Sequence, residues 1–383
     1  MDPTGPTARR FPLVPRPRPA CAPLPRRVAE LGAKAREAAR TGDREQASAV
    51  HNLAALLASD CGMPDLARQW CHRHANLYLH ARPLHAQAVR QALEPLVNLA
   101  RLRIRAGDGL GACALVDTLH TAVATRTDTT IDGIHIPAAR MATTRDEHRE
   151  IRRWLWVVLL ATTARGLAGA GRWEQAHARL LQHKGVGRRM LDGRQVAVLA
   201  HASTGDTRGA LELCATTLPG DPWEQAVTAC LATLCHPHGD NAALLPGLLR
   251  TLAPDKPGLT VFGCRLGLSA VDALTAHDFP RARTLGLDLI HHTIANPDGY
   301  TARDLLKHPL CSELLTPSQA HRLANLVHTC ALGTGVLPAA LRAELDTALT
   351  MTEPIMANAA PRTSNEQSDR VRQAPADSAA RPA

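Results

Sequence analysis

Two groups of Cys and His are the residues whose types and spacing come nearest to a chemical site. Cys71, His72 and His74 stand together in one group, but on a helix His72 points away from the face that Cys71 and His74 share. A zinc site needs about four ligands that converge on one point. The second group consists of Cys230, Cys235, His236 and His238. Its spacing matches no zinc pattern, so we predict no metal site and no cofactor.

The sequence contains no recognisable catalytic motif. The glycines of Gly185–Arg189 lack the Lys-Ser/Thr pair of a phosphate-binding loop, and neither G-x-S-x-G nor H-E-x-x-H occurs. Asp146, Glu147 and Glu150 stand at the start of a predicted helix, where acidic residues are common for electrostatic reasons. We therefore predict no catalytic residues and favour a non-catalytic protein, while an enzyme with a site of scattered residues stays open.

The composition is that of a large helical core. The chain has 383 residues, of which 45% are hydrophobic and only 3% are aromatic, whereas β-sandwiches and barrels rely on aromatic and β-branched residues. None of its ten cysteines forms a C-x-x-C pair, which is typical of reduced cysteines in a cytoplasmic protein. No apolar run reaches the length of a membrane helix, so we expect no membrane partner.

Both ends of the chain differ from the middle. Eight prolines stand between positions 3 and 25, and six arginines occur before position 28. This composition predicts a disordered Pro/Arg-rich tail over 1–25, through which nucleic acid is expected to bind only weakly. A polar stretch predicts a second disordered tail over 352–383. The region 26–351 between them is predicted to be a single helical repeat domain.

A recurring break divides the helical region. At several positions a helix ends at Gly, Asp often follows, and Ala stands five residues after the Gly. The clearest examples are Gly42/Ala47, Gly62/Ala67, Gly107/Ala112, Gly171/Ala176 and Gly205/Ala210. Gly171, Gly205 and Gly239 recur at one constant interval. Small residues at these offsets would let two antiparallel helices pack closely, with Gly ending the first helix and Asp capping the second.

That interval and the small-residue pattern resemble the tetratricopeptide repeat, a helix–turn–helix unit with a period of about 34 residues. The segments Arg105–Val116, Ala170–Leu181 and Ser203–Cys214 carry the resemblance, although the usual aromatic positions are mostly absent. The resemblance implies an all-α fold in which antiparallel helix pairs form a right-handed superhelical array. The helix pairs expected are 43–60 with 64–81, 84–106 with 109–125, 146–170 with 172–184, 190–204 with 206–218, 222–236 with 240–252, 258–276 with 278–295, and 316–332 with 336–351, preceded by a helix at 26–40.

One stretch interrupts the helical pattern. Residues 126–144 include Asp132-Gly133 between Ile131 and Ile134, which is a strong hairpin signal. We predict a small β-hairpin near 128–137. Insertions in repeat proteins map to loops, so this hairpin is either a functional loop or a structural decoration.

The resemblance also implies a concave groove lined by the first helix of each pair. Polar residues expected to face it are Arg36, Asn52, Glu94, Arg101, Arg165, Asp192, Gln195, Thr233 and His236. Of these we select Asn52, Glu94, Arg101, Arg165, Asp192, Gln195 and His236 as ligand-binding candidates. Arg101 and Arg165 share an offset in neighbouring units and could bind carboxylates, so a peptide or an acidic protein segment is the ligand expected.

Three functions are compatible with this groove. The first is a non-catalytic scaffold for a protein or peptide partner, such as an accessory subunit of a multi-protein enzyme complex that acts on a peptide. The second is a peptide-sensing regulator that lacks a DNA-binding headpiece of its own. The third is an enzyme whose site is built from scattered groove residues.

Overall fold

The computed structural model describes residues 2, 4–79, 86–142, 144–236 and 258–357, together with Leu244, Leu245, Gly247 and Leu249. Within them the fold is all-α, with sixteen helices and one two-stranded sheet. The first ten helices are α1 (Leu24–Thr41), α2 (Arg44–Asp60), α3 (Pro64–Leu79), α4 (Ala86–Arg105), α5 (Gly109–Thr125), α6 (Arg145–Gly169), α7 (Trp173–Gln182), α8 (Asp192–Ser203), α9 (Thr207–Ala215) and α10 (Pro222–Cys235). The last six are α11 (Thr260–Thr275), α12 (Phe279–Ala295), α13 (Gly299–Leu306), α14 (Pro309–Leu314), α15 (Pro317–Thr329) and α16 (Ala339–Ala357).

The helix boundaries follow the breaks predicted from the sequence. Gly171 and Gly205 have φ angles of 71° and 82°, a left-handed conformation that glycine adopts without strain. The carboxylates of Asp108 and Asp206 cap α5 and α9 by accepting backbone N–H groups. Gly239 and the predicted helix 240–252 lie largely outside the described residues.

Small residues lie where neighbouring helices pack. The alanines five residues after the break glycines are fully buried, namely Ala47, Ala67, Ala112, Ala176 and Ala210. At the contact of α5 with α6 the backbones are so close that a Cβ on Gly109 would lie 2.0 Å from the carbonyl oxygen of Gly166. Helices therefore pack at this point through their backbones, and a larger residue would push them apart.

Each of the helices α1 to α11 contacts the next helix whose bounds are given above. The even-numbered helices also contact one another in succession, α2 with α4, α4 with α6, α6 with α8 and α8 with α10. The last helix, α16, packs against α1, α2 and α3, so the two ends of the helical region meet. Two short helices, α13 and α14, were not predicted from the sequence.

The predicted hairpin is confirmed. Strand β1 (Thr129–Ile131) pairs antiparallel with β2 (Ile134–Ile136), and Asp132 and Gly133 both have positive φ angles at the turn. The Asp132 carboxylate accepts hydrogen bonds from Arg68 and lies 2.8 Å from a ring nitrogen of His72, so the hairpin is tied to α3. None of the described helices is both long and apolar enough to cross a membrane.

Candidate functional site

The N-terminal segment, which we define as residues 4–23, packs against the helices. Ala8, Phe11, Leu13 and Cys21 are all buried, and the first three join the apolar core that contains Trp173 of α7. This differs from the disordered tail predicted for 1–25. The prolines do keep the segment from becoming a regular helix, but the apolar side chains between them have a core to enter. At the other end, α16 extends to Ala357, beyond the predicted start of a tail at 352, and 358–383 lie outside the described residues.

Gln195 of α8 binds the backbone of the N-terminal segment on both sides. Its side-chain oxygen accepts the Leu13 N–H at 2.6 Å, and its amide nitrogen donates to the Leu13 carbonyl at 2.8 Å. The same nitrogen also donates to the carbonyl of Met190. Gln195 is fully buried and cannot bond to water. These bonds therefore give hydrogen-bond partners both to its side chain and to the extended backbone of the segment.

A second backbone contact holds Cys21. Its N–H donates to the buried carboxylate of Asp298 at 2.7 Å, and its carbonyl accepts the N–H of Gly299 at 2.8 Å. Between the two contacts, the Arg18 N–H donates to the carbonyl of Gly258. The helical region therefore binds this segment through its main chain at three separate positions.

Three arginines of the segment each pair with an aspartate of the helical region. Arg10 pairs with Asp272 of α11, Arg16 with Asp192 of α8 at 2.7 Å, and Arg18 with Asp60 of α2 at 3.3 Å. We call the residues that hold the segment, Asp60, Asp192, Gln195, Asp272 and Asp298, the segment site. Four of its five members are aspartates, so its charge is opposite to that of the segment.

The pKa of Asp272 is affected by the charge of the N-terminal segment. Burial raises the pKa of this carboxyl, but a hydrogen bond from His308 and the charge of Arg10 outweigh burial. The hydroxyl of Thr7 adds a further hydrogen bond, and the pKa falls to about 2. Asp272 therefore stays ionised and paired over the whole neutral range.

Asp60 joins several elements of the described structure. Its side chain is almost fully buried and pairs with Arg18, Arg27 and Arg105, while the hydroxyl of Tyr300 donates to it as well. The guanidinium of Arg18 also lies over the Tyr300 ring, 3.6 Å from its centroid. One carboxylate thus joins the segment to α1, α2, α4 and α13.

The structure brings three of the predicted groove residues into one hydrogen-bonded chain. Asn52 of α2 donates to Glu94 at 2.7 Å, Asn98 donates to Asn52 at 2.8 Å, and Arg101 donates to Asn98 at 2.7 Å. Burial raises the pKa of Glu94. Burial lowers the pKa of Arg101, whose ordinary value is far above neutral. This chain of hydrogen bonds joins α2 to α4.

Arg36 is exposed on α1, and the other predicted groove residues separate into two kinds. Asp192 and Gln195 belong to the segment site, and Arg165 lies near Asp192 and Arg16, since the charges of both act on it. His236 is exposed at the end of α10. Thr233 is buried and donates its hydroxyl to the carbonyl of Ala229.

Sequence reasoning missed Asp60, Asp272 and Asp298. Their partners are residues of the N-terminal segment, which the prolines led us to treat as a tail without contacts. A signal was present in Phe11 and Leu13, two large apolar residues placed between charged residues and prolines. Such residues indicate an extended segment that docks, because a purely solubilising tail gains nothing from them.

The Cys and His groups are divided among separate partners. His74 is buried and bonded to Ser48, whereas His72 faces Asp132 of the hairpin. Burial raises the pKa of Cys71 to about 12, which keeps it a thiol. Among the described residues no three His, Cys, Asp or Glu side chains are grouped so that they could hold a metal ion, and His238 lies outside them.

Comparison of the chain with protein-family models, with curated proteins and with solved structures gives no match.

Proposed function

We propose that this chain is a non-catalytic scaffold that binds an extended segment of a protein or peptide partner. The observation that carries the proposal is the double hydrogen bond of Gln195 to the backbone of Leu13. Backbone recognition by a rigid side chain holds an extended segment whatever its sequence, and flanking pockets and charges then add specificity. The chain's own N-terminal segment is an example of the kind of extended segment that the segment site binds.

The helix contacts support a tetratricopeptide-like array. Successive contacts among α2, α4, α6, α8 and α10 are those of a row of first helices in a solenoid, with α3, α5, α7 and α9 as the second row. Four of the five residues of the segment site lie on α2 and α8 of this row or on α11, which contacts α10, and the fifth, Asp298, directly precedes α13. We infer that this row forms the groove, and that the contact of α16 with α1 closes the array into a ring.

The charges favour a basic partner over the acidic one expected from the sequence. Asp60, Asp192 and Asp272 each bind an arginine of the segment. A partner that takes the place of the segment would need basic side chains at similar spacing, separated by residues that keep the chain extended. The role of an accessory subunit fits such a partner, with a basic segment of another subunit in the site.

The peptide-sensing regulator is the second candidate. The observation in its favour is that the site is filled by the protein's own segment, which a signal peptide would have to displace. If a signal peptide displaces the N-terminal segment, the contacts of the segment with α2, α8 and α11 are lost. Peptide binding is thereby coupled to the arrangement of these helices.

The test uses a labelled peptide with the sequence of residues 5–22. An intramolecular segment competes at a high effective concentration, so the protein carries Arg10→Ala and Arg16→Ala, which weaken its own segment but leave the segment site intact. We expect the peptide to bind this protein in a fluorescence anisotropy titration. Adding Gln195→Leu should weaken binding by about tenfold or more, because two backbone hydrogen bonds are lost.

Gln175→Leu is the matched control, because Gln175 is exposed on α7. It should leave peptide affinity unchanged. If the peptide fails to bind a protein whose helical circular dichroism is intact, the N-terminal segment is a fixed part of the fold and the scaffold proposal loses its support.

A further inference from the structure

Two arginines beside the segment site pair with no carboxylate among the described residues. Arg101 of α4 and Arg165 of α6 each lie six residues before the glycine at the end of their helix, and α4 and α6 are in contact. Both residues keep solvent-exposed surface, although the surrounding helices bury part of each side chain. Within the described part of the chain Arg101 bonds only to the neutral amide of Asn98, and Arg165 has neither a hydrogen bond nor an ion pair.

Arg16 brings a third guanidinium to the same place. Its Nη2 pairs with Asp192, while its Nη1 is buried and finds no hydrogen-bond partner in the described ranges, as is true of Oδ1 of Asp192. Asp192 is the carboxylate whose charge acts on Arg165, and it is already paired with Arg16. Both unpaired atoms are out of reach of solvent, so Arg16 contributes to anion binding through its charge and through the 36% of its side chain that stays exposed.

The positive charges of these arginines act on one another. Burial among the surrounding helices is the main cause that lowers the pKa of Arg165 to about 10, and the charges of Arg16, Arg101 and Arg265 act in the same direction. Arg165 nevertheless keeps solvent contact, so an ion from solution can reach it. Positive charges that lie close together attract a multiply charged anion more strongly than the same charges far apart do.

We infer that Arg16, Arg101 and Arg165 form a binding site for a phosphate group. Guanidinium groups offer paired N–H donors that match phosphate oxygens, and a phosphate dianion compensates more of the uncompensated positive charge than a single carboxylate does. Arg101 and Arg165 are positioned by helices, while Arg16 comes from the N-terminal segment. The site is complete only when the segment is docked, so phosphate binding and segment docking support each other.

Isothermal titration of the full chain with inorganic phosphate and with pyrophosphate at low ionic strength tests this inference. We expect one saturable site for each, with a Kd at least tenfold lower for phosphate than for acetate. Arg101→Gln and Arg165→Gln should each raise the phosphate Kd by about tenfold, because a charge-assisted contact is lost. Arg165→Lys should restore part of the affinity, since it keeps the charge but loses the paired donors.

Arg153→Gln is the control, because it removes an exposed charge from the same helix as Arg165. It should leave the phosphate Kd unchanged. The inference is wrong if no saturable binding occurs, if Arg153→Gln weakens binding as much as Arg165→Gln does, or if acetate binds as tightly as phosphate. None of these outcomes depends on peptide binding, so this site and the proposed scaffold function can fail separately.

Discussion

At the scale of single residues, two buried histidines make the fold sensitive to acid. His51 of α2 and His74 of α3 are each about 1% exposed, with ring centroids 5.2 Å apart. Burial is the main cause that lowers the pKa of His51, to about 3, and the charge of Arg73 lowers it as well. Burial also lowers the pKa of His74, and the nearby His51 adds to the effect.

We expect His51 to destabilise the protein as the pH falls. The unfolded chain takes up a proton at His51 near pH 6.5, whereas the folded chain does so only near pH 3. Protonation therefore favours the unfolded chain, and the free energy of unfolding falls as the pH drops below 6.5. Between pH 7 and pH 5 this residue should cost about 2 kcal/mol of unfolding free energy. Urea unfolding of wild type and His51→Leu at both pH values measures it.

Between pH 7 and pH 5, His51→Leu should lose about 2 kcal/mol less unfolding free energy than wild type does. His321→Leu, at an exposed position of α15, is the control and should show the full wild-type loss. Equal losses for wild type and His51→Leu would mean that His51 takes up a proton without unfolding of the chain.

At the scale of the elements, the turn between α2 and α3 supports the loop that leads into α16. Gly62 has a φ of 81°, and a Cβ at this position would lie 3.2 Å from the Cα of Gly333. Gly333 and Gly335 donate their N–H groups to the carbonyls of Asp60 and Cys61 at 2.8 and 2.7 Å. The turn thus pairs with a segment near the opposite end of the helical region, and this pairing aligns α16 with α1.

Gly62→Ala should therefore destabilise the protein more than Gly42→Ala does. Gly42 also has a positive φ, 65°, but no atom lies within 4 Å of its Cβ position, so alanine there costs only the backbone strain, about 1 kcal/mol. At Gly62 the contact with Gly333 should add about 1–3 kcal/mol, because neither backbone can move freely. Thermal unfolding of the two variants measures the difference. Equal costs would show that the loop does not rest on this turn.

At the scale of the whole molecule, Asp60 links parts of the chain that are far apart in sequence. Its partners are Arg18 in the N-terminal segment, Arg105 at the end of α4 and Tyr300 in α13, together with Arg27 in α1. Burial raises the pKa of Tyr300, and the charge of Asp60 raises it further, so the hydroxyl stays a donor. Removing one carboxylate should therefore affect several elements at once.

We expect Asp60→Asn to reduce the unfolding free energy by about 2–4 kcal/mol. Breaking a buried ion pair by removing one partner is costly, but Arg18 and Arg105 keep some solvent contact and lose less. Hydrogen exchange should quicken in the N-terminal segment and in α13 together. Asp65→Asn, at an exposed position of α3, should change neither. Faster exchange confined to α2 would contradict the linking role of Asp60.

The sequence by itself determined the elements and where they end. Break glycines with aspartate caps act within a few residues, so local chemistry predicted most helix boundaries and the hairpin at Asp132-Gly133. Of the candidate site residues, Gln195 and Asp192 were selected because repeat offsets place them on one face of α8. Their relation to a ligand stayed open, because an offset does not say what lies opposite.

Only the tertiary structure decided what the N-terminal segment does. Local composition at residues 1–25 excludes a regular helix, which is equally true of a disordered tail and of a docked extended segment. The difference rests on contacts with Asp60, Asp272 and Asp298, which are between 42 and 277 residues from their partners in the segment. Such contacts depend on how the helices pack, and no short-range pattern in the sequence encodes them.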